Sequence, residues 1–136
     1  MRRRAPPSPP PTPESVIARQ VAAFLTIALP TDVQWTHIPH GGARSKAAAG
    51  RLRAEGVRKG APDLLIVVPN LGIAFVELKN SAGRLSREQR GWGQAIEATP
   101  GAFFFVCRSV EEVEEALLSI GVRFRATMRP TQRPNG

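Results

Sequence analysis

The sequence predicts an α/β domain built on a mixed β-sheet flanked by helices on both faces. Short apolar runs typical of buried strands alternate with longer segments that show helical periodicity. Two of these runs, 64–68 and 73–76, lie on either side of the turn sequence PNLG, which indicates an antiparallel hairpin. A helical segment then leads to a further apolar run at 102–107, and this βαβ arrangement favours a parallel, right-handed connection.

Four segments carry the signals of helices. The first should begin with Thr12 as its N-cap and Pro13 as its first helical residue, because these types favour a helix start. The second, 45–55, should stop at Gly56, which tolerates the left-handed conformation of a helix end. The third and fourth should be capped by Ser86 and Ser109.

Strand candidates fill the intervals between these helices. A short strand is expected within 32–38, two strands form the hairpin, and 102–107 is the fourth. The segment VRFRAT, residues 122–127, is expected to add a last strand at an edge of the sheet. The predicted core order is therefore α-β-α-β-β-α-β-α, with the edge strand after it.

Composition indicates one folded domain between two basic tails. The chain has 136 residues, 42% of them hydrophobic, which suits a single domain with its own core at residues 13–126. Residues 1–12 and 127–136 are rich in proline and arginine and are expected to be disordered. Five tail arginines contribute to the net charge of +8, which leaves +3 for the folded part. Basic tails of this kind can hold nucleic-acid phosphates by releasing counterions.

Several protein classes are disfavoured by the same composition. No apolar segment follows the N-terminal arginines, so they do not resemble a signal peptide, and no apolar run approaches transmembrane length. The single cysteine, Cys107, is expected in a buried strand, which excludes a disulfide framework or a CxxC metal site. A cytoplasmic protein without membrane contact is expected.

Three charged residues stand at the open end of the apolar hairpin: Asp63 on one strand, Glu77 and Lys79 on the other. Glu77 and Lys79 are two residues apart and so point to the same face. Pairing of Val68 with Gly72 would bring Asp63 onto that face opposite Glu77, whereas pairing with Ile73 would turn it away. The sequence leaves both registers open, since the choice depends on an odd loop or a bulge near the turn.

Two carboxylates on one face repel each other, and a divalent cation would remove that penalty. Oxygen ligands without histidine or cysteine favour Mg²⁺ or Mn²⁺ over zinc. A lysine beside such a metal can orient a nucleophile or stabilise charge on a phosphate, which is the chemistry of phosphodiester hydrolysis. The simpler interpretation is a half-exposed ion pair between Glu77 and Lys79, with Asp63 as an ordinary strand entry.

Three stretches resemble a known family: GVRKGAPDLLIV, FVELKNSAGRLSREQ and FVCRSVEEVEEAL. The Pro-Asp and Glu-x-Lys motifs resemble the PD-(D/E)xK nuclease superfamily, and the wider pattern is similar to its VRR-NUC domains, which occur in phage and bacterial nucleases. The resemblance runs from about Glu14 to Ile120. It implies a restriction endonuclease-like core and Mg²⁺- or Mn²⁺-dependent cleavage of DNA.

The resemblance also implies roles for individual residues. Asp63 and Glu77 would bind metal, the Leu78 carbonyl could join them, and Lys79 would be the catalytic lysine. Gln89 matches the family's helix glutamine, although it equally fits a capping box with Ser86. Glu14 matches an acidic residue of the first helix and is a further candidate metal ligand, although an acid at a helix start is favoured by the dipole alone.

Basic residues on both sides of the hairpin are candidates for phosphate contact. They are Arg44, Lys46, Arg58, Lys59, Arg84 and Arg87. The predicted function is a metal-dependent DNA endonuclease, with branched DNA, flaps or Holliday junctions as substrates by family analogy. The alternative is a DNA-binding module that retains the fold without catalysis. A homodimer and phage or host replication–repair proteins are the partners considered beside DNA.

Overall fold

A computed structural model describes residues 2–39 and 45–128. It contains eight helices and strands in the predicted core order α-β-α-β-β-α-β-α. They are α1 (Glu14–Ala28), β1 (Gln34–His37), α2 (Lys46–Ala54), β2 (Leu64–Val68), β3 (Gly72–Leu78), α3 (Arg87–Glu97), β4 (Ala102–Cys107) and α4 (Val110–Ser119). None of the described helices combines the length and the hydrophobicity that a membrane crossing requires.

The sheet is mixed, as the sequence predicts. Its four strands lie in the order β1-β2-β3-β4, with β1 and β3 antiparallel to β2. The crossover through α3 makes β4 parallel to β3. The open end of the β2–β3 hairpin therefore lies beside the end of β4, where the chain turns into α4.

The two faces of the sheet are covered differently. One face forms the main core with α1 and α4, through buried side chains that include Val21, Leu25, Val76 and Leu117. On the opposite face, α3 packs closely on β4, because Gly93 leaves room for the ring of Phe104. A Cβ at Gly93 would lie 2.6 Å from that ring. The part of this second face beside α3 is left open for a cleft.

The expected edge strand at 122–127 is wrong. After α4 the chain runs to the C-terminal end of α1 instead of to the sheet. There the Arg125 backbone N–H donates to the Ala28 carbonyl and its Nε donates to the Leu29 carbonyl, both over 2.7 Å. Phe124 packs against Phe24 with a ring separation of 5.4 Å. Carbonyls at a helix end lack partners within the helix, and Arg125 satisfies them.

The predicted start of α1 is wrong by one residue. Pro13, not Thr12, is the N-cap, and the helix begins at Glu14 without a side-chain cap. The Pro13 carbonyl accepts the first helical hydrogen bonds, from Val16 and Ile17. Residues 2–12 are exposed and have no helix or strand, whereas residues 129–136 of the predicted C-terminal tail lie outside the described part of the chain.

Candidate active site

The hairpin register brings Asp63 and Glu77 to one face. Val68 pairs with Gly72 and Leu64 pairs with Val76, so the next position places Asp63 opposite Glu77. Three residues form the loop, with Asn70 at φ 65°, in the left-handed region. A Cβ at Gly72 would lie 2.0 Å from the Gly101 carbonyl oxygen, so the close approach of the two turns requires glycine there.

Asp63 accepts backbone hydrogen bonds at two places, its side chain and its own carbonyl. Its Oδ2 accepts a hydrogen bond from the Leu78 N–H over 2.7 Å, and its carbonyl accepts one from the Ile38 N–H over 2.7 Å. The N–H and C=O of one strand residue point to the same side of the strand. The Leu78 carbonyl is therefore directed to the side of β3 on which Asp63 lies.

Glu77 is a buried carboxyl with one unsatisfied oxygen. The residue is only 3% exposed, and its Oε1 accepts a hydrogen bond from Gln89 Nε2 over 2.8 Å. Its Oε2 is buried and has no hydrogen-bond partner within the described part of the chain. Burial, followed by the nearby Asp63 carboxylate, raises the pKa of Glu77 to about 8, although the Lys79 charge acts in the opposite direction. Without a cation, this site favours a protonated Glu77 at neutral pH.

Gln89 forms the capping box with Ser86 and also contacts Glu77. Its Oε1 accepts from the Ser86 N–H over 2.8 Å and Ser86 Oγ accepts from the Gln89 N–H over 3.1 Å, which is a complete capping box. Its Nε2 remains free to hold Glu77. Because a Cβ at Gly60 would lie 2.6 Å from Glu88 Cβ, the segment before Asp63 packs directly on this helix start.

Lys79 and Glu14 enter the same cleft from different elements. The cleft has a volume of about 930 Å³, and its acidic lining residues are Glu14, Asp63 and Glu77. The Lys79 backbone N–H donates to the Cys107 carbonyl over 3.0 Å, which extends the β3–β4 pairing past the end of β3. Gly83 lies between Lys79 and Glu14. A Cβ there would be 3.2 Å from Lys79 Cδ and 3.0 Å from Glu14 Oε1.

The oxygen donors where Asp63 faces Glu77 suit a hard cation bound by two carboxylates. Across residues 2–39 and 45–128, no three His, Cys, Asp or Glu side chains form a group that could hold a metal ion. Glu14 lines the same cleft, and its charge contributes to the raised pKa of Glu77, whereas its role as a further ligand stays a prediction. Mg²⁺ is commonly held by one or two carboxylates and keeps several waters. Asp63, the unsatisfied Glu77 Oε2 and the Leu78 carbonyl suit that chemistry.

The remaining wall of the cleft is basic. Of the residues predicted to contact DNA, Arg58, Lys59 and Arg84 line it. Lys46 and Arg87 are exposed first residues of α2 and α3 and do not line it, and Arg44 lies outside the described residues.

Arg53 also lines the cleft, although it was not among the residues predicted to contact DNA. It projects from α2 beside Ala49 and Leu52, which also line the cleft. The sequence did carry a signal for this position. Ala49, Leu52 and Arg53 are three and four residues apart on a predicted helix, and residues at that spacing share one face.

The four-stranded mixed sheet and the cleft that joins Asp63 to Glu77 and Lys79 define an α/β domain with a nuclease-type fold. The family model described as VRR-NUC domain matches residues 29–111. The chain belongs to the VRR-NUC domain family.

Solved structures support the same fold. One described as a VRR_NUC domain protein is 16% identical, with a TM-score of 0.65, over 79% of this chain and 87% of its own. A second, described as a VRR_NUC domain, is 22% identical, with a TM-score of 0.51, over 78% of this chain and 94% of its own. A comparison with curated proteins found no match. The predicted fold class and family are thereby confirmed.

Proposed function

We propose that this protein is a Mg²⁺- or Mn²⁺-dependent endonuclease that hydrolyses phosphodiester bonds in DNA. The observation that carries the proposal is the placement of two carboxyl groups, Asp63 and Glu77, on one face of the hairpin beside Lys79. A fold shared with nucleases does not by itself define an activity. The proposed activity depends on these three side chains and on the basic residues that line the same cleft.

The proposed metal ligands are Asp63, Glu77 and the Leu78 carbonyl. A bound Mg²⁺ or Mn²⁺ ion supplies a Lewis acid for the phosphoryl oxygens and lowers the pKa of water. The chain prepares this site by holding Asp63 on the Leu78 N–H and Glu77 on Gln89 Nε2. Hydrogen-bonded partners of this kind fix the orientation of metal-binding carboxylates.

Lys79 is the proposed catalytic lysine. Its ammonium group shares the cleft with both carboxylates, where it can orient the attacking water or stabilise negative charge as it develops on the phosphate. Arg53, Arg58 and Arg84 would hold the flanking phosphates. Contacts of that type position DNA without reading its sequence.

The alternative function, a DNA-binding module without catalysis, is disfavoured by Glu77. Burial of a carboxyl beside a second carboxyl costs stability, as the raised pKa of Glu77 indicates. A protein that only binds phosphate gains nothing from two acids in its binding cleft. A metal-dependent enzyme needs both of them.

The proposed substrates are DNAs with branched structure, including flaps and Holliday junctions, in phage or bacterial replication and repair. The protein would act in the cytoplasm, or in the host cytoplasm if a phage encodes it. A homodimer or an association with other replication–repair proteins would extend the DNA contact beyond one small domain. These finer assignments depend on the proposed nuclease activity.

The test is cleavage of end-labelled duplex, single-stranded, flap and four-way-junction DNA with Mg²⁺, Mn²⁺ or EDTA. We expect cleavage of at least one substrate by the wild type with either metal, and none in EDTA. Glu77→Ala should be inactive, whereas Glu97→Ala, which removes an exposed carboxylate from α3, should cleave normally. Binding of DNA without cleavage by the wild type would favour the alternative.

A further inference from the structure

Arg108 lies between β4 and α4, outside the cleft lining, and joins the turn that follows Lys79. Its Nη1 donates to two backbone carbonyls, those of Asn80 and Gly83, the second over 2.8 Å. These two carbonyls mark the beginning and the end of turn 80–83. One guanidinium nitrogen therefore spans the whole turn.

The turn is also closed from within by the Asn80 side chain. Asn80 Oδ1 accepts hydrogen bonds from the N–H groups of Ala82, over 3.0 Å, and Gly83, over 2.8 Å. Gly83 then lies directly against Lys79, since a Cβ at this position would be 3.2 Å from Lys79 Cδ. Turn 80–83 thus limits where the lysine side chain can lie.

Arg108 is itself attached to a rigid part of the fold. Its backbone N–H donates to the Glu112 carboxylate in the first turn of α4, and the Glu112 N–H donates to Ser109 Oγ over 3.2 Å. Helix α4 is anchored in the core by Val113 and Leu117, both fully buried. The hydrogen bonds of Arg108 therefore connect the packed core to the backbone beside Lys79.

We propose that Arg108 is a positioning residue, which holds turn 80–83 so that the Lys79 ammonium group is kept in place for phosphodiester hydrolysis. This inference rests on the proposed function, because it assumes that Lys79 acts on the phosphate. Arg108 acts through the turn and does not touch DNA. A shift of about 1 Å in a reacting group can lower a rate by roughly 10²-fold, so loss of this support should be visible in the chemical step.

The experiment compares Arg108→Ala and Arg108→Lys with the wild type. Arg125→Ala is the matched control, because Arg125 also donates from its side chain to a backbone carbonyl, that of Leu29, at the far end of α1. Four quantities are measured: the single-turnover cleavage rate at saturating protein, DNA affinity and its salt dependence, the thermal midpoint, and amide hydrogen exchange of Ala82 and Gly83.

Arg108→Ala should lower the cleavage rate roughly 10- to 100-fold with unchanged DNA affinity, and exchange at Ala82 and Gly83 should become faster. Arg108→Lys should recover part of the rate, because a single ammonium group keeps the charge but not the planar geometry of arginine. Arg125→Ala should lower the thermal midpoint and leave the rate unchanged below it.

Four results would overturn the inference: a wild-type rate in Arg108→Ala, an equal loss of rate in Arg125→Ala, unchanged amide exchange of Ala82 and Gly83 in Arg108→Ala, or weaker DNA binding by Arg108→Ala with a reduced salt dependence. The last result would make Arg108 a phosphate contact. If the wild type itself does not cleave any DNA, the proposed function is wrong. Unchanged amide exchange in Arg108→Ala would then also show that Arg108 does not hold the turn.

Discussion

Gln89 Nε2 donates a hydrogen bond of 2.8 Å to Glu77 Oε1, so one side chain caps α3 and orients a candidate metal ligand. The helix cap uses the other atom of the amide, Oε1. Glutamine meets both demands because its amide carries a donor and an acceptor. The position of α3 on the sheet is thereby linked to the position of the Glu77 carboxylate.

Substitution of Gln89 should separate these two roles. Gln89→Glu keeps an acceptor for the Ser86 N–H but replaces the donor to Glu77 with a further carboxylate oxygen. We expect a loss of about 10- to 100-fold in Mn²⁺ affinity or activity, the usual effect of losing such a partner, with a small change in the thermal midpoint. Gln89→Ala should lose the same activity and also destabilise the fold by about 2 kcal/mol, since two side-chain hydrogen bonds of about 1 kcal/mol each disappear.

Gln94→Glu is the control for this prediction, because it adds the same charge to an exposed position of the same helix. It should cleave and bind Mn²⁺ like the wild type. Normal activity in Gln89→Glu would contradict the idea that Gln89 orients Glu77, and the capping box would then be its only role.

The raised pKa of Glu77 predicts an unusual dependence of stability on pH. Its carboxyl has a pKa of about 8 in the fold, against an ordinary value of 4.5, so the folded state binds more protons than the unfolded state between these values. The stability of the metal-free protein should therefore fall as the pH rises from 4.5 to about 8. Over the same range Mn²⁺ should bind more tightly as the pH rises, because the ligand must lose its proton.

Glu77→Gln should remove this effect, since an amide of similar shape has no charge to bury. We expect a higher thermal midpoint than the wild type at pH 8 without metal, and no stabilisation by added Mn²⁺. The measurement is thermal unfolding across the pH range, with Glu97→Gln as the exposed control. Parallel pH profiles for the wild type and Glu77→Gln would show that Glu77 ionises normally.

The basic wall of the cleft predicts how DNA binding depends on salt. Arg53→Ala combined with Arg58→Ala should weaken binding and reduce the slope of log K against log salt by up to ~1.8 for duplex DNA, at ~0.9 for each phosphate contact. Arg19→Ala, on an exposed position of α1, should leave the slope unchanged. Equal slopes for the double variant and the wild type would place the DNA elsewhere on the surface.

The sequence was sufficient for the order of the core elements, and the structure brings the predicted Asp63, Glu77, Lys79 and Gln89 into one cleft. Local signals decide the type and order of the elements, because apolar residues recur with different periods in strands and in helices. Local signals also decide helix starts, since Ser86 and Ser109 cap α3 and α4 as expected. The register of the hairpin was not decided locally. The observed register comes with a close approach of Gly72 to Gly101, a contact between two turns far apart in the chain.

Other features depend on tertiary contacts that no local pattern reveals. Residues 122–127 have the composition of a strand, but Arg125 instead donates hydrogen bonds to the carbonyls at the end of α1. Arg53 reaches the cleft only because α2 lies along it. The support of turn 80–83 by Arg108 likewise joins two segments that are distant in sequence.

The most direct test of the proposed mechanism is single-turnover DNA cleavage by Lys79→Ala, measured beside calorimetric Mn²⁺ binding. A lysine that acts mainly on the transition state contributes to the rate and not to ground-state binding. Lys79→Ala should therefore fold, bind DNA and bind Mn²⁺ but fail to cleave, and Lys79→Arg should not restore the full rate, because its planar group cannot replace a compact charge. Glu77→Ala should lose both Mn²⁺ binding and cleavage. Cleavage by Lys79→Ala at the wild-type rate would contradict the proposed mechanism and leave Lys79 as an ionic partner of Glu77 alone.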